Sequence, residues 1–176
     1  MRMRILTMVM MLGAALFVAG ETRAQAPPPN PLDAVPEVMP FDIPYGAPIV
    51  LERAKAVIAA AAAEAQKRNW KMNIAVLDSG ANLVAFERMD GALLASIAVS
   101  EHKARAAVIY RRETKVFENA IQLSNYHYVV TIDGVIASRG GIPLVENGKL
   151  IGAIGCSGGT GSQDEVVAKV GAAVIK

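Results

Sequence analysis

A single cysteine, Cys156, leaves no way to close an internal disulfide, even in an oxidising compartment where such bonds persist. Its thiol is therefore buried, a ligand, or paired between subunits. One cysteine also gives no support to a structural zinc cage. Net charge is lacking once the N-terminus is set aside. Residues 1–26 hold three arginines and one glutamate, so the 18 basic and 16 acidic residues of the chain reduce to 15 of each. That balance offers no electrostatic grounds for binding nucleic acid or an anionic membrane. Long apolar runs are missing too. The run from Ile5 to Ala19 falls short of the roughly 20 residues a permanent membrane-spanning helix needs.

That run reads instead as the apolar region of a secretory signal peptide. Arg2 and Arg4 precede it, and the small residues of Ala24-Gln25-Ala26 follow it, the layout that export signals share. Cleavage is expected after Ala26 or Ala24, giving a periplasmic or secreted protein with no membrane insertion after processing. No cysteine near the cut offers a lipid anchor. All of the nine prolines except Pro143 lie between residues 27 and 48, so this stretch reads as an extended arm or linker. Residues 49–176 are then one domain, long enough for a core of its own.

Within that domain, Leu51, Ala54, Ile58, Ala61 and Ala65 recur at helical steps and predict an alanine-rich helix. Met72, Ile74 and Val76 alternate with Asn73, Ala75 and Leu77, and Asp78 to Asn82 turns the chain into a second strand, Leu83 to Arg88. Helices are expected near 93–110 and 114–123, and a strand over Tyr128 to Ile132. Asn147-Gly148 predicts a tight hairpin between residues 142–145 and 150–155. Ser162 is the expected cap of a last helix, with Asp164 and Glu165 in its first turn. The order α-β-β-α-α-β-β-β-α makes this an α+β protein, its sheet mainly antiparallel because hairpins dominate.

The second helix holds the most informative pattern. Ala95, Val99, His102, Ala106 and Ile109 form its apolar stripe, which places His102 among small neighbours. There it is either a core or interface histidine or an imidazole ligand to a haem iron or other metal. Ser96, Ser100, Lys103 and Tyr110 make a neighbouring polar stripe, expected in solvent or at a subunit contact, with Lys103 free to meet an acidic ligand group. His127 reads as a surface or edge residue. The two histidines are 25 residues apart, so no helix-borne zinc pair is present. The run Gly152 to Gly161 contains neither GxGxxG, nor a P-loop lysine, nor GxSxG. It reads as a strand-to-helix turn, or as a cradle in which Ser157, Gly158 and the N–H groups of the last helix hold a carboxylate. Arg88-Met89-Asp90-Gly91 is chiefly a turn, in which Met89 could touch a flat cofactor and Arg88 its carboxylate.

Together these segments resemble the GlcG/HbpS family. The resemblance rests on Asn69-Trp70, residues 73–78, residues 83–91, Lys103-Ala104-Arg105, residues 111–115, Gly140 to Leu144, and Gly152 to Gly155 through Gln163-Asp164. It spans about Ile49 to Lys176. It implies a profilin-like layered fold of about five strands, assembly into homo-oligomers and, in several members, haem binding. Two departures concern the site. Ala106 stands where the family often has threonine, and His102 where a carboxylate or polar residue is common, so a strong nitrogen donor replaces a weak oxygen one. Cys156, often valine in the family, fits a small buried hydrophobe better than a thiolate.

Three functions follow. The first is an exported haem-binding protein for haem storage, transfer or redox sensing, with His102 as axial iron ligand and Arg88, Met89, Lys103, Ala106, Ser157 and Gly158 around the cofactor. The second is an enzyme, either haem-dependent and oxidative (peroxidase-like or haem-degrading) or acting on a small hydroxy or keto acid without haem. The third is an oligomeric accessory subunit. Binding is favoured because no complete catalytic constellation is visible.

Overall fold

In a computed structural model that describes residues 34–39 and 41–176, four strands pair with one another antiparallel. They are β1 (Asn73–Asp78), β2 (Leu83–Arg88), β3 (Gly141–Glu146) and β4 (Lys149–Ser157), in the order β2-β1-β4-β3, and β4 adds one isolated parallel bridge to Tyr45 of the arm. The proposed signal segment lies outside the described residues. Helices α1 (Leu51–Lys67) and α4 (Gly161–Ala172) pack together on one face of the sheet, and α2 (Ala95–Ile109) covers the other, with α3 (Lys115–Gln122) following it.

Alternation along the strands divides the core. Ile74, Val76, Ile154 and Cys156 join Val57, Ala61 and Val167 beneath α1 and α4. Ala75, Leu77 and Ala153 meet Ala104, Ala107 and Val108 of α2. Both faces of β1 and β4 are thus covered, which is why these strands read as nearly continuous apolar runs. The turns follow the expected chemistry. Asp78 Oδ1 accepts from the N–H groups of Gly80 and Asn82 at 2.8 and 2.9 Å. Asn147 and Gly148 take φ of 49° and 74° between β3 and β4, the left-handed pair that a tight hairpin requires.

Three expectations are corrected. The segment expected as a fifth strand is a 3-10 helix, His127–Thr131. Asn125 enters it at φ 56°, the Val129 N–H donates to Tyr126 O at 3.1 Å, and only Val129 of the five residues is buried. A β-branched run becomes a strand only where a sheet edge pairs with it, and here local three-residue closure takes its place. The cap of α4 is Thr160 rather than Ser162, in a reciprocal capping box with Gln163. Three of the four residues of the polar stripe of α2 are buried, not solvated: Ser96, Ser100 and Lys103 face the sheet with Ala104 and Ala107, while Tyr110 is partly covered. Of the expected apolar stripe, Ala95 and Ile109 are exposed and Val99 and His102 only partly covered.

Size rather than polarity chooses the buried face of α2. The helix crosses so close to the sheet that a Cβ on Gly155 would stand 2.0 Å from Ser100 O and 2.5 Å from Ala104 N. Only small residues fit at that crossing, and the Ser100 hydroxyl is satisfied by donating to Ile97 O at 2.8 Å. The end of the proline-rich arm docks at the start of β4. Gly46 N donates to Leu150 O at 2.7 Å and Leu150 N to Pro44 O at 2.8 Å, beyond the point where β1 stops pairing with β4. Arg112 stacks on Phe41 at 3.2 Å. Because backbone cannot yield as a side-chain end can, Gly155→Ala should cost about 3 kcal/mol or more, seen as a lowered urea midpoint. Gly148→Ala, strained only through its φ, should cost about 1 kcal/mol.

Candidate functional site

The end of α1 begins the site. Asn69 adopts φ 55°, and the N–H groups of Asn69 and Trp70 return to Gln66 O and Ala65 O at 3.0 and 2.9 Å. This is a Schellman closure with asparagine in the left-handed position, completed by an apolar residue folding back on the helix. Here that residue is Trp70, packed against the core. The closure aims Trp70 and Lys71 across the end of the sheet. Lys71 then meets the loop after β4, where a Cβ on Gly158 would lie 2.1 Å from Lys71 O; nothing larger than glycine fits. From the other side, Met89 N donates to Met72 O at 3.0 Å, and Asn73 Nδ2 to Leu93 O at 3.0 Å.

A cleft opens between these three loops. One lobe, of about 450 Å3, is lined by Gln66, Asn69, Trp70, Lys71 and the run Glu87 to Asp90. The adjoining lobe, of about 300 Å3, shares Asn69, Trp70 and Lys71 and adds Gly91, Leu93, Gly158, Gly159 and Gln163. The expected residues Arg88, Met89 and Gly158 thus come together, with Ser157 buried at the end of β4. His102 lines neither lobe. It lies partly exposed on α2, next to the exposed Ala98 and Arg105. Ala106 and Lys103 are buried under that helix, and His127 is exposed on the 3-10 helix.

Lys103 does have an acidic partner, which belongs to the chain itself. Its Nζ donates to Asp164 Oδ2 at 2.7 Å and to Cys156 O at 3.2 Å, with both charged side chains almost fully buried. Asp164 Oδ1 accepts from Gly159 N at 3.0 Å, and Gln163 Oε1 from Thr160 N at 2.8 Å. Beside the expected cradle of Ser157, Gly158 and the last helix's N–H groups, the backbone donors at Gly159 and Thr160 are thus taken by Asp164 and Gln163. Burial pushes the Asp164 carboxyl above its ordinary pKa, against the pull of Lys103 and of the Gly158 and Gly159 N–H groups. Burial likewise pushes the Cys156 thiol up, and the Asp164 charge adds to it, so Cys156 is a buried apolar residue and not a thiolate at neutral pH. Beside the pair, Arg139 holds Glu118 at 2.7 Å and Glu165 at 3.3 Å, fixing the segment that enters β3.

Comparison with known proteins agrees with this architecture. The family described as "Haem degrading protein HbpS-like" matches residues 49–173. The chain belongs to the HbpS-like family. Among HbpS-like relatives, GlcG of Escherichia coli K12 is 44% identical over 106 residues, covering 60% of this chain and 78% of its own. The solved structure of Klebsiella pneumoniae ORFY superposes with a TM-score of 0.70 at 27% identity, covering 81% of this chain and 97% of that one. PduOC, solved as a complex with haem, superposes with a TM-score of 0.67 at 27% identity, covering 74% and 96%. The GlcG/HbpS resemblance and the α+β layered fold therefore hold, with four strands among the described residues.

The cleft residues that sequence reasoning missed are Lys71, Glu87, Asp90 and Gln163. Their only sequence signal was position beside turns, which many surface residues share. Along the sequence Asp164 is only a first-turn helix charge, because its partner Lys103 is 61 residues away. Lys103→Met should strand a buried carboxylate and cost about 3–5 kcal/mol at pH 7. Without the ammonium, the folded-state pKa of Asp164 rises further above its unfolded value. A carboxyl raised in this way binds its proton more tightly when folded, so stability grows as pH falls toward the unfolded pKa of about 4. The Lys103→Met deficit should accordingly shrink between pH 7 and pH 5 in thermal melts, and Lys103→Met/Asp164→Leu should recover most of it.

Proposed function

We propose that this chain is an exported haem-binding protein, serving haem storage, transfer or redox sensing, with His102 as an axial ligand to the iron. The observation that carries the reading is the place of His102, on an outward face of α2 beside Ala98, Val99 and Arg105 rather than locked in the core. An imidazole there can reach an iron, the small and apolar neighbours admit a flat ring, and Arg105 one turn on supplies a charge for a propionate. No three His, Cys, Asp or Glu side chains converge on a common point among the described residues. A metal at His102 would thus draw most of its ligands from elsewhere, as iron in a porphyrin does. The haem complex of PduOC supports the same reading at the level of the family. Arg88, Met89 and Gly158 line a cleft whose two lobes do not include His102.

Haemin titrated into the processed protein should give a saturable Soret shift at one haem per chain. His102→Ala should weaken binding about 100-fold while leaving the melting temperature within a few degrees, since a partly exposed side chain contributes little to stability. An unchanged spectrum in that variant would remove His102 as ligand, and loss of binding in His127→Ala alone would transfer the role. Export rests on Arg2, Arg4 and the apolar run after them. N-terminal sequencing of protein from cell envelope and medium should begin at Gln25 or Pro27, and an intact N-terminus on cytosolic protein would overturn it.

A further inference from the structure

The cleft between α1, β2 and α4 does not include His102 among its lining residues and has a chemistry of its own. Two cations, Lys71 and Arg88, and two anions, Glu87 and Asp90, line it. Opposite charges crowded into one concavity ordinarily collapse onto each other. Here none of the four enters a salt bridge among the described residues, whereas Lys115, Lys169, Arg139, Glu118 and Glu165 all pair on the far side of α4. The supporting backbone keeps the walls apart. Lys71 is clamped through its carbonyl against Gly158, and its side chain lies across Gly91, with Nζ 3.1 Å from where a Cβ there would stand. The turn carrying Glu87 to Asp90 is tied down by Met89 N to Met72 O and by Asn73 Nδ2 to Leu93 O. Trp70 forms an aromatic wall, backed by the Arg68 guanidinium 5.0 Å from its ring centre.

We propose that this cleft binds a small zwitterion of the α-amino acid class. The carboxylate is taken by Lys71 and Arg88, the ammonium by Glu87 and Asp90, and an apolar side chain lies on Trp70 and Met89. A simple carboxylate is the poorer fit, because it would leave the two acidic residues facing it unanswered. The nearby helix N-terminus does not attract it either, since Asp164 and Gln163 already occupy donors there. The main lobe, at about 450 Å3, is of a size for one such molecule.

Trp70 is the only tryptophan in the chain, so its emission reports on this cleft directly. L-leucine titrated into the haem-free processed protein should give a saturable change in that emission. 4-Methylpentanoate, which lacks the ammonium, and isoamylamine, which lacks the carboxylate, should each bind about tenfold more weakly or less well still. Lys71→Met and Asp90→Asn, both exposed positions, should each reduce L-leucine binding about five- to tenfold and leave haemin titration untouched. No emission change with L-leucine, L-phenylalanine or L-methionine at 10 mM overturns the proposal, as does an equal response to the acid or the amine alone. Because haem binding is read in the Soret region and through His102→Ala, failure of either site is visible independently of the other.

Discussion

The Lys103–Asp164 pair is the contact on which the arrangement of the domain turns. A lysine ammonium and an aspartate carboxylate, both almost wholly removed from water, are tolerable only when each is paired and the remaining lone pairs and protons are answered. Lys103 answers with Asp164 and the Cys156 carbonyl, and Asp164 with Lys103 and the Gly159 N–H. Those four groups belong to α2, the end of β4, the glycine loop and the first turn of α4. One interaction therefore sets how the helix on one face of the sheet is tied to the helix on the other, around the end of β4. The glycine loop cannot relax independently of it, and that loop in turn abuts Lys71 at the edge of the cleft.

A second constraint works alongside the first. The sheet meets α2 through a nearly bare stretch of β4, where Gly155 lies against the helix backbone. Close approach yields dense contact and lines the interface with serine, alanine and the stem of Lys103, joined by Val108 near the helix end. Larger apolar residues of the helix, Val99 and Ile109 among them, are displaced outward with His102. The outward position of His102 is thus a by-product of the tight crossing beneath it. His102 does not line the cleft at the sheet end, so the chain presents two chemically different places: an imidazole on an open helix face, and a charged concavity beside its only tryptophan.

Much of the fold was legible along the chain because its signals are local. Asp78 with its Asx-type turn, Asn147-Gly148 in left-handed conformations, and the alanine-rich periodicity of α1 are properties of four to seven consecutive residues, and each held. The Tyr128 to Ile132 strand failed for the complementary reason. Its β-branched composition is local, but a strand exists only through a partner, and none of the described strands pairs with it. The α2 stripe failed because hydrophobic periodicity assumes that burial follows polarity, whereas a glycine floor selects for size. Of the site, Arg88, Met89 and Gly158 were found through their turns, while Lys71, Glu87 and Asp90 carried no pattern that separates them from ordinary surface charges.

By itself, then, the sequence determined the α+β class, the hairpins, the extents of three helices and the start of the fourth to within a few residues, and a family membership carried by an ordered set of short motifs. All of these are encoded by neighbours within a turn or a strand. Tertiary structure alone decided that Lys103 faces inward to meet a carboxylate 61 residues away, that His102 faces outward, and that three separate loops close around Trp70. Each of those outcomes depends on the distance between elements that meet only after folding, and periodicity along one element carries no information about what its neighbour leaves room for.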